Sequence, residues 1–310
     1  MNRTDYFDTV YSELAAAVTD PDLAVKWIRP WAAGQHSRVT PRSVGTGKAY
    51  RGMNRWWFGS RCFSSPWWIT FRQAKKLGGN VRKGEKSTVG MYYQVIEKKD
   101  DAGKRESFPI FKTFRVFNVE QCDLPQEALD RLAERLDAIC PADAERTAEE
   151  AVTEAETTTI GWIKGESIGF AHGGDKAYYA PLTDSIQMPE KTAFDSPEAY
   201  AQTLAHEAVH ATGHSSRLDR GLLRPAAFGG DRYGREELVA ELGSCMVLGS
   251  CGVDFGRDQA VAYLRGWLRS CVKADGSKDP AALAWASGRA QAAADLILGV
   301  EADAGDTDPE

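Results

Sequence analysis

Hydrophobic residues three or four positions apart mark Glu127–Ile139 as an amphipathic helix, with Leu129, Leu132, Leu136 and Ile139 on one stripe. Two segments farther forward, Val89–Lys98 and Phe108–Asn118, are instead rich in β-branched and aromatic residues. The turn signal Asp100-Asp101-Ala102-Gly103 separates them, so they read as an antiparallel pair. Asp5–Val18 reads as a helix that stops before Asp20-Pro21, and Ile69–Leu77 as a helical stretch stopped by Gly78-Gly79. In the second half, Gly165–Phe170 and Ala177–Met188 suggest a hairpin joined by Ala171-His172-Gly173-Gly174-Asp175. Ser196-Pro197, a serine N-cap with proline at the first helical position, opens a helix that Gly213 can end. Further helices are expected at Arg235–Gly249, Arg257–Val272 and Pro280–Leu298, and no internal repeat is visible. The expectation is an α+β chain.

At 310 residues the chain is long enough for two domains, each with its own core. No apolar run reaches the ~20 residues of a membrane span, and the N-terminus lacks a signal-peptide apolar stretch. A cytoplasmic protein with no membrane partner is the expectation. Six scattered cysteines without a CxxC pair read as reduced thiols. Charge divides the chain. Residues 1–122 hold 21 Lys and Arg against 11 Asp and Glu, while residues 123–310 hold 17 against 33. The halves therefore face different partners, or each other. The expected domains are a basic 1–122, a helical, acidic linker at 123–158, a second domain at 159–300 and a disordered acidic tail at 301–310.

From Lys26 to Lys86 there are 14 basic residues and one acidic residue, Glu85, and six of the nine tryptophans. Single-stranded nucleic acid asks for this mixture, with aromatic faces for bases and cations for the backbone. The candidate contacts are Trp27, Trp31, Arg51, Arg55, Trp56, Trp67, Trp68, Arg72, Lys75, Lys76, Arg82, Lys83 and Lys86. In adjacent pairs such as Trp56-Trp57 and Trp67-Trp68, one ring is expected to point inward and the other outward. The competing reading makes these pairs core and the charges a solvated surface.

The second half carries His206-Glu207-Ala208-Val209-His210-Ala211-Thr212-Gly213-His214. Histidines four apart on a helix lie about 40° apart around its axis and roughly 6 Å apart along it, so both imidazoles reach one ion. Zinc, one per chain, is the expected metal, and Glu207 is the candidate general base. The longer pattern HExxHxxGxxH fails because Ser216 stands where its third histidine would be. Glu237 on the next helix is the candidate third ligand, with Glu236 competing, and Glu241 is placed to accept the second N–H of a ligand histidine. This HExxH followed by ExxxE resembles the gluzincin arrangement. His214 and Tyr233 are candidates to assist the transition state or to support the ligands, and Tyr179 could stabilise an oxyanion. Each also has an ordinary structural reading.

With both halves read, the chain resembles the ArdC-type antirestriction proteins, zincin-like polyvalent proteins of plasmids and phages. The matching stretches in the first half run from Thr46-Gly47-Lys48-Ala49-Tyr50-Arg51-Gly52-Met53-Asn54 through Trp68–Ala74 and Leu77–Lys86 to Val116-Phe117-Asn118. In the second half they are Ala177–Pro181, Asp184–Pro189, the histidine run with Arg217-Leu218-Asp219-Arg220, and Glu236–Gly243. The resemblance implies an N-terminal single-stranded-DNA-binding domain, a C-terminal metallopeptidase-like domain and protection of incoming mobile DNA from host restriction. A host restriction or defence protein would be the substrate, and the protein could be delivered with the incoming DNA. The alternatives are a DNA-binding protein in which zinc is structural, and more remotely a DNA-processing nuclease or primase-like enzyme.

Overall fold

A computed structural model describes residues 3–25, 40–99, 105–139, 147–221, 231–254, 257–272 and 276–300. The element order is α1 (Arg3–Ala17), β1 (Arg42–Ser43), α2 (Gly52–Gly59), β2 (Trp67–Ile69), α3 (Phe71–Lys76), β3 (Asn80–Val81), β4 (Thr88–Lys99), β5 (Arg105–Asn118), β6 (Cys122–Asp123), α4 (Gln126–Ile139), α5 (Ala148–Gly165), β7 (Gly169–His172), β8 (Tyr178–Ala180), β9 (Ser185–Met188), α6 (Pro197–Thr212), α7 (Asp231–Ser250), α8 (Arg257–Ser270) and α9 (Pro280–Leu298). The mixed helix and sheet content is the α+β class expected. Trp27, Trp31, the side chain of Tyr233 and the tail 301–310 lie outside the described residues. None of the described helices is long and apolar enough to cross a membrane. Cys62, Cys122, Cys245, Cys251 and Cys271 are free thiols.

The first half is built on a four-stranded sheet, β1-β2-β5-β4. β4 and β5 form the expected antiparallel pair, in register from Thr88 opposite Val116 to Lys99 opposite Arg105. β2 lies antiparallel to β5 and parallel to β1, and its two tryptophans settle how the faces are used. Successive strand residues point to opposite faces. Both faces are covered here, so both rings are buried. Trp67 enters a small core with Val44, Ile69, Ala74, Leu132 and Leu136, and its Nε1–H donates to the Leu132 carbonyl at 3.1 Å. Trp68 enters the large core and stacks on Phe58, ring centroids 4.8 Å apart. Ile69 is therefore strand rather than helix, and the helix begins after Thr70. That threonine forms a capping box with Gln73.

The large core runs through both halves of the chain. α2 contributes Trp56, edge-on to Trp267 of α8 at 6.2 Å, and Trp57, edge-on to Tyr6 of α1 at 6.1 Å. α1 is itself seated on α8 and α9 through Tyr6, Val10 and Leu14. The tryptophan pairs are thus interior on both members, a correction to the expectation of one ring in and one out.

Residues 123–158, read as a linker, contain two packed helices. α4 closes the small core with Leu132 and Leu136. α5 is capped by Thr147 with Glu150 and lays Ala151, Val152, Ala155, Thr159 and Ile163 into the interior beside α6. Small apolar residues gave α5 little hydrophobic signal, yet they are what lets it approach α6 closely. A second difference concerns the strands before α6. β7 does not form a hairpin with its successor. It pairs in parallel with β9, and β8 and β9 make the hairpin, giving the order β7-β9-β8.

Trp56 is fully buried, so Trp56→Ala is expected to lose about 3–5 kcal/mol of stability. Equilibrium denaturation measures this. A change below about 1 kcal/mol would contradict the shared core.

Candidate metal centre and nucleic-acid interface

The metal motif sits on the last two turns of α6. Ser196 caps that helix by accepting the Ala199 N–H at 3.2 Å, and Pro197 occupies its first turn. Gly213 ends it in an ordinary right-handed conformation, so the stop comes from the Gly213 N–H turning back to the His210 carbonyl at 2.9 Å. α7 crosses α6 very closely. A Cβ on Gly243 would lie 2.9 Å from both methyls of Val209, a contact no larger residue tolerates without a shift. This approach delivers Glu237 to the histidines.

Nε2 of His206 and Nε2 of His210 are 3.1 Å apart. Glu237 reaches them with one carboxylate oxygen each, Oε2 at 3.6 Å from His206 and Oε1 at 3.5 Å from His210. One ligand atom from each residue falls within a common 4.8 Å, and all three residues are partly exposed. An ion held tetrahedrally at ~2.1 Å from its donors keeps those donors about 3.4 Å apart, so the observed separations fit a divalent ion. Two imidazoles and a carboxylate are also a donor set that leaves a fourth position open.

Glu236 and Glu237 are neighbours on a helix and diverge by about 100°. One carboxylate meets the Nε2 side of the histidines and the other the Nδ1 side. Oε1 of Glu236 lies 3.4 Å from Nδ1 of His210, and the Arg220 guanidinium grips the same carboxylate, with Nε 3.1 and 3.0 Å from its two oxygens. Arg220 also donates to the Val209 carbonyl at 2.6 Å and to Oγ1 of Thr212 at 2.7 Å. Glu236 thus stands on the Nδ1 side of His210. Glu241 is one turn along α7 from Glu237, and its charge acts on His206.

These surroundings set the protonation of the cluster. Burial works to depress the His206 imidazole, but Glu237 beside it and the charges of Glu207 and Glu241 outweigh this, and the net shift is upward. Burial would raise Glu236, yet His210 and Arg220 hold it below the usual carboxylate range. Burial pushes Glu241 up. Glu207 is itself buried, at 8% exposure.

His214 stands apart from the ligand group. Its Nδ1 accepts the Ser216 N–H at 3.3 Å and lies 2.8 Å from that residue's hydroxyl, the pattern of a helix-end turn. Sequence reasoning missed the clamp beside it. Arg217 donates to Asp184 at 3.0 Å and to the Ala211 carbonyl at 2.8 Å, tying the β8–β9 turn to the end of α6. Asp184 sits in the left-handed region at φ 45°, and Tyr179 donates its hydroxyl to it at 2.7 Å. Tyr179 is thereby engaged in this clamp, its hydroxyl raised by burial and by Asp184.

The expected DNA contacts divide by burial. Trp56, Trp67 and Trp68 are 0%, 3% and 1% exposed, and Arg55 is 3% exposed, its pKa pushed down to about 10 by burial. Arg51 is ion-paired with Asp295 of α9. The three tryptophans and Arg55 lie in the interior, and Arg51, with 22% of its side chain exposed, reaches across to the other half of the chain. Arg72, Lys75, Lys76, Arg82, Lys83 and Lys86 are exposed, on α3 and on the turn after β3. Beside them is an aromatic that the tryptophan count concealed. Phe71 is 52% exposed, with Nζ of Lys75 5.8 Å from its ring centroid.

Comparison with known proteins agrees with this layout. Residues 4–117 match the model of the N-terminal domain of the anti-restriction factor ArdC, and residues 145–282 match that of a zincin-like metallopeptidase. The Mn(II)-bound crystal structure of the antirestriction protein ArdC from plasmid R388 is 31% identical with a TM-score of 0.64, over 97% of this chain and 98% of that one. The chain belongs to the ArdC antirestriction family. The metal-free R388 structure aligns at 34% identity and a TM-score of 0.57, over 88% and 89% of the two chains. The uncharacterized protein y4eC of Sinorhizobium fredii is 30% identical over 97% of this chain and 94% of its own length. DNA primase TraC of Escherichia coli is 31% identical over 89% of this chain, which spans only 25% of TraC. In this ArdC-family chain the zincin-like match takes in α5, the helix that supports α6.

Arg220→Ala would leave the Glu236 carboxylate buried without its counter-charge. A loss of about 3–5 kcal/mol in denaturant unfolding is expected. Wild-type stability in this variant would show that the Arg220–Glu236 pair does not hold α6 and α7 together.

Proposed function

We propose that the protein is an antirestriction factor of a mobile element that binds single-stranded DNA and carries a zinc metallopeptidase site. The observation that carries the catalytic part is the convergence of His206, His210 and Glu237, with Glu207 buried on the same helix. In this reading His206, His210 and Glu237 hold one zinc ion per chain. When bound, the ion supplies Lewis acidity toward a peptide carbonyl. Glu207 takes a proton from the attacking water and returns it to the leaving amine, so the carboxylate ends each turnover as it began. Glu236 holds His210 through Nδ1, fixing its ring. β8 is an edge strand packed beside α6, and its outer backbone groups would pair with an extended substrate segment. The substrate class is a host restriction or defence protein.

The DNA-binding part rests on the α3 surface. Phe71 offers a ring face for stacking, and Arg72, Lys75, Lys76, Lys83 and Lys86 offer cations for phosphates. The N-terminal ArdC match, over residues 4–117, supports DNA binding by this half of the chain. Primase or nuclease chemistry has no comparable support. Those reactions use clustered acidic ligands, whereas among the described residues the group able to hold an ion is the histidine and glutamate set.

Four outcomes test the proposal. Purified wild type should carry about one zinc per chain and His206→Ala should lose it, as read by metal analysis. Glu207→Gln should keep the metal yet abolish protection of incoming unmodified DNA in a restricting host. Full protection with metal retained would make the ion structural for this task. For DNA, Lys75→Ala with Lys76→Ala should flatten the dependence of log K on log salt by about 0.7 for each phosphate contact removed. Phe71→Ala should weaken binding by about 1–3 kcal/mol at unchanged slope.

A further inference from the structure

Beyond α3, cations continue along one face of the first sheet. Val116 of β5 belongs to the large core and its neighbour Phe117 packs against the small one, so these two residues mark the two faces of the strand. Alternation then puts Arg115 and Thr113 on the face of Phe117, and Phe114 and Lys112 on that of Val116. Ala74 of α3 packs in the small core. Arg115 therefore emerges from the face of the sheet that α3 covers, and both it and Thr113 are exposed.

The turn between β3 and β4, residues 82–87, joins the two places. Arg115 donates to Oγ of Ser87 at 3.1 Å, which sets its guanidinium against the residue that follows Lys86. Each carboxylate along this turn is already engaged. Glu85 accepts from Gln121 at 2.9 Å and from Arg82 at 3.1 Å, and those bonds hold its carboxyl below the usual range. Glu120 accepts the Ser65 N–H at 2.6 Å, and Asp123 lies 4.0 Å from Arg82. Arg82 also donates to the Glu120 carbonyl, so this residue is the staple of the turn. Among the described residues, Lys83, Lys86 and Arg115 make no ion pair. The outward charge from α3 to β5 is thus of one sign. A single strand is flexible enough to follow a helix, a turn and a strand in succession. A duplex, with a persistence length of about 150 bp, stays straight over so short a path and touches only part of it.

We propose that a DNA strand held at α3 runs on over the turn, past Lys83 and Lys86, and crosses Arg115 on the face of β5. The path rests on the α3 reading for its starting point. It makes Arg115 a phosphate contact, outside the basic stretch of residues 26–86, and leaves Arg82 to hold the turn in shape.

Fluorescence anisotropy of a labelled oligothymidylate of about 16 nucleotides, titrated with the full chain over a range of salt, tests the path. Arg115→Gln removes the charge and keeps a donor for Ser87, so its melting temperature should equal that of wild type. It should lower the slope of log K against log salt by about 0.7, which at about 0.1 M salt is roughly fivefold in affinity. Arg115→Lys should restore both. Lys112→Ala removes an equal charge three residues away on the opposite face and should change neither, which separates a path from general attraction to a basic surface. A duplex of the same length should bind equally to wild type and Arg115→Gln, and a difference there would overturn the single-strand path. The proposal is wrong if Arg115→Gln binds the oligothymidylate as wild type does, or if Lys112→Ala loses as much. Lys75→Ala with Lys76→Ala, in the same titration, tells the two readings apart. Loss in the lysine variant alone keeps the strand at α3 and rejects the extension, no loss in either rejects both, and loss at Arg115 alone overturns the path by taking the strand off α3.

Discussion

The ion pair between Arg220 and Glu236 is the constraint on which the metal centre depends. Both groups are almost out of water, with 4% and 13% of their side chains exposed. A pair buried so deeply gives little net stability, because desolvation consumes most of the attraction. What it contributes is position. Arg220 is bonded to the last turn of α6 through Val209 and Thr212, and Glu236 belongs to α7. If α7 slipped by one turn, about 5.4 Å, a guanidinium and a carboxylate would be left buried and unpaired. The glycine at 243 permits the helices to touch, and the ion pair selects the register in which they do. Glu237 then reaches Nε2 of both histidines because its neighbour is already fixed.

The same guanidinium lines a cavity of about 790 Å³ between the start of α2 and the middle of α9, so one residue belongs to the support of the metal centre and to the space between the halves. The separation of charge along the chain takes on a structural meaning here. Arg51 comes from the basic half and its partner Asp295 from the acidic half. Some of the basic excess is thus directed inward, across the junction, and only the remainder is available for phosphates. The tryptophans make the same junction from apolar surface, with Trp56 against Trp267 and Trp57 against α1.

Features fixed by local spacing were legible in the sequence. His206 and His210 converge because four residues make a little more than one turn, and Ser196-Pro197 starts the helix by chemistry confined to its first turn. β4 and β5 were equally plain, since the turn signal joins neighbours in the chain. The choice between Glu236 and Glu237 was not legible, because it depends on how α7 is rotated against α6. The burial of both members of each tryptophan pair was not legible for a related reason, nor was the exposure of Phe71. An aromatic residue is core or surface according to what covers it, and what covers Trp67 is α4, from a segment that read as linker. β7 was misassigned because its glycine turn suggested a hairpin, while its hydrogen bonds go to a strand farther along the chain.

The two candidate activities also stand on different cores. α3 is held from beneath by Ala74, which packs in the small cluster with Trp67, Leu132 and Leu136, while α6 and α7 belong to the large one. Phe71 contributes little to either, since a half-exposed ring forgoes much of the roughly 1.5–3 kcal/mol that full burial brings. The capping box of Thr70 and Gln73 keeps that short helix formed without calling on the ring. The ring and the lysines beside it are therefore separable from folding in a way that Trp56 and Arg55 are not. A loss of DNA binding at α3 can be attributed to contact with the strand, whereas a loss at Trp56 reports first on the core that joins the halves.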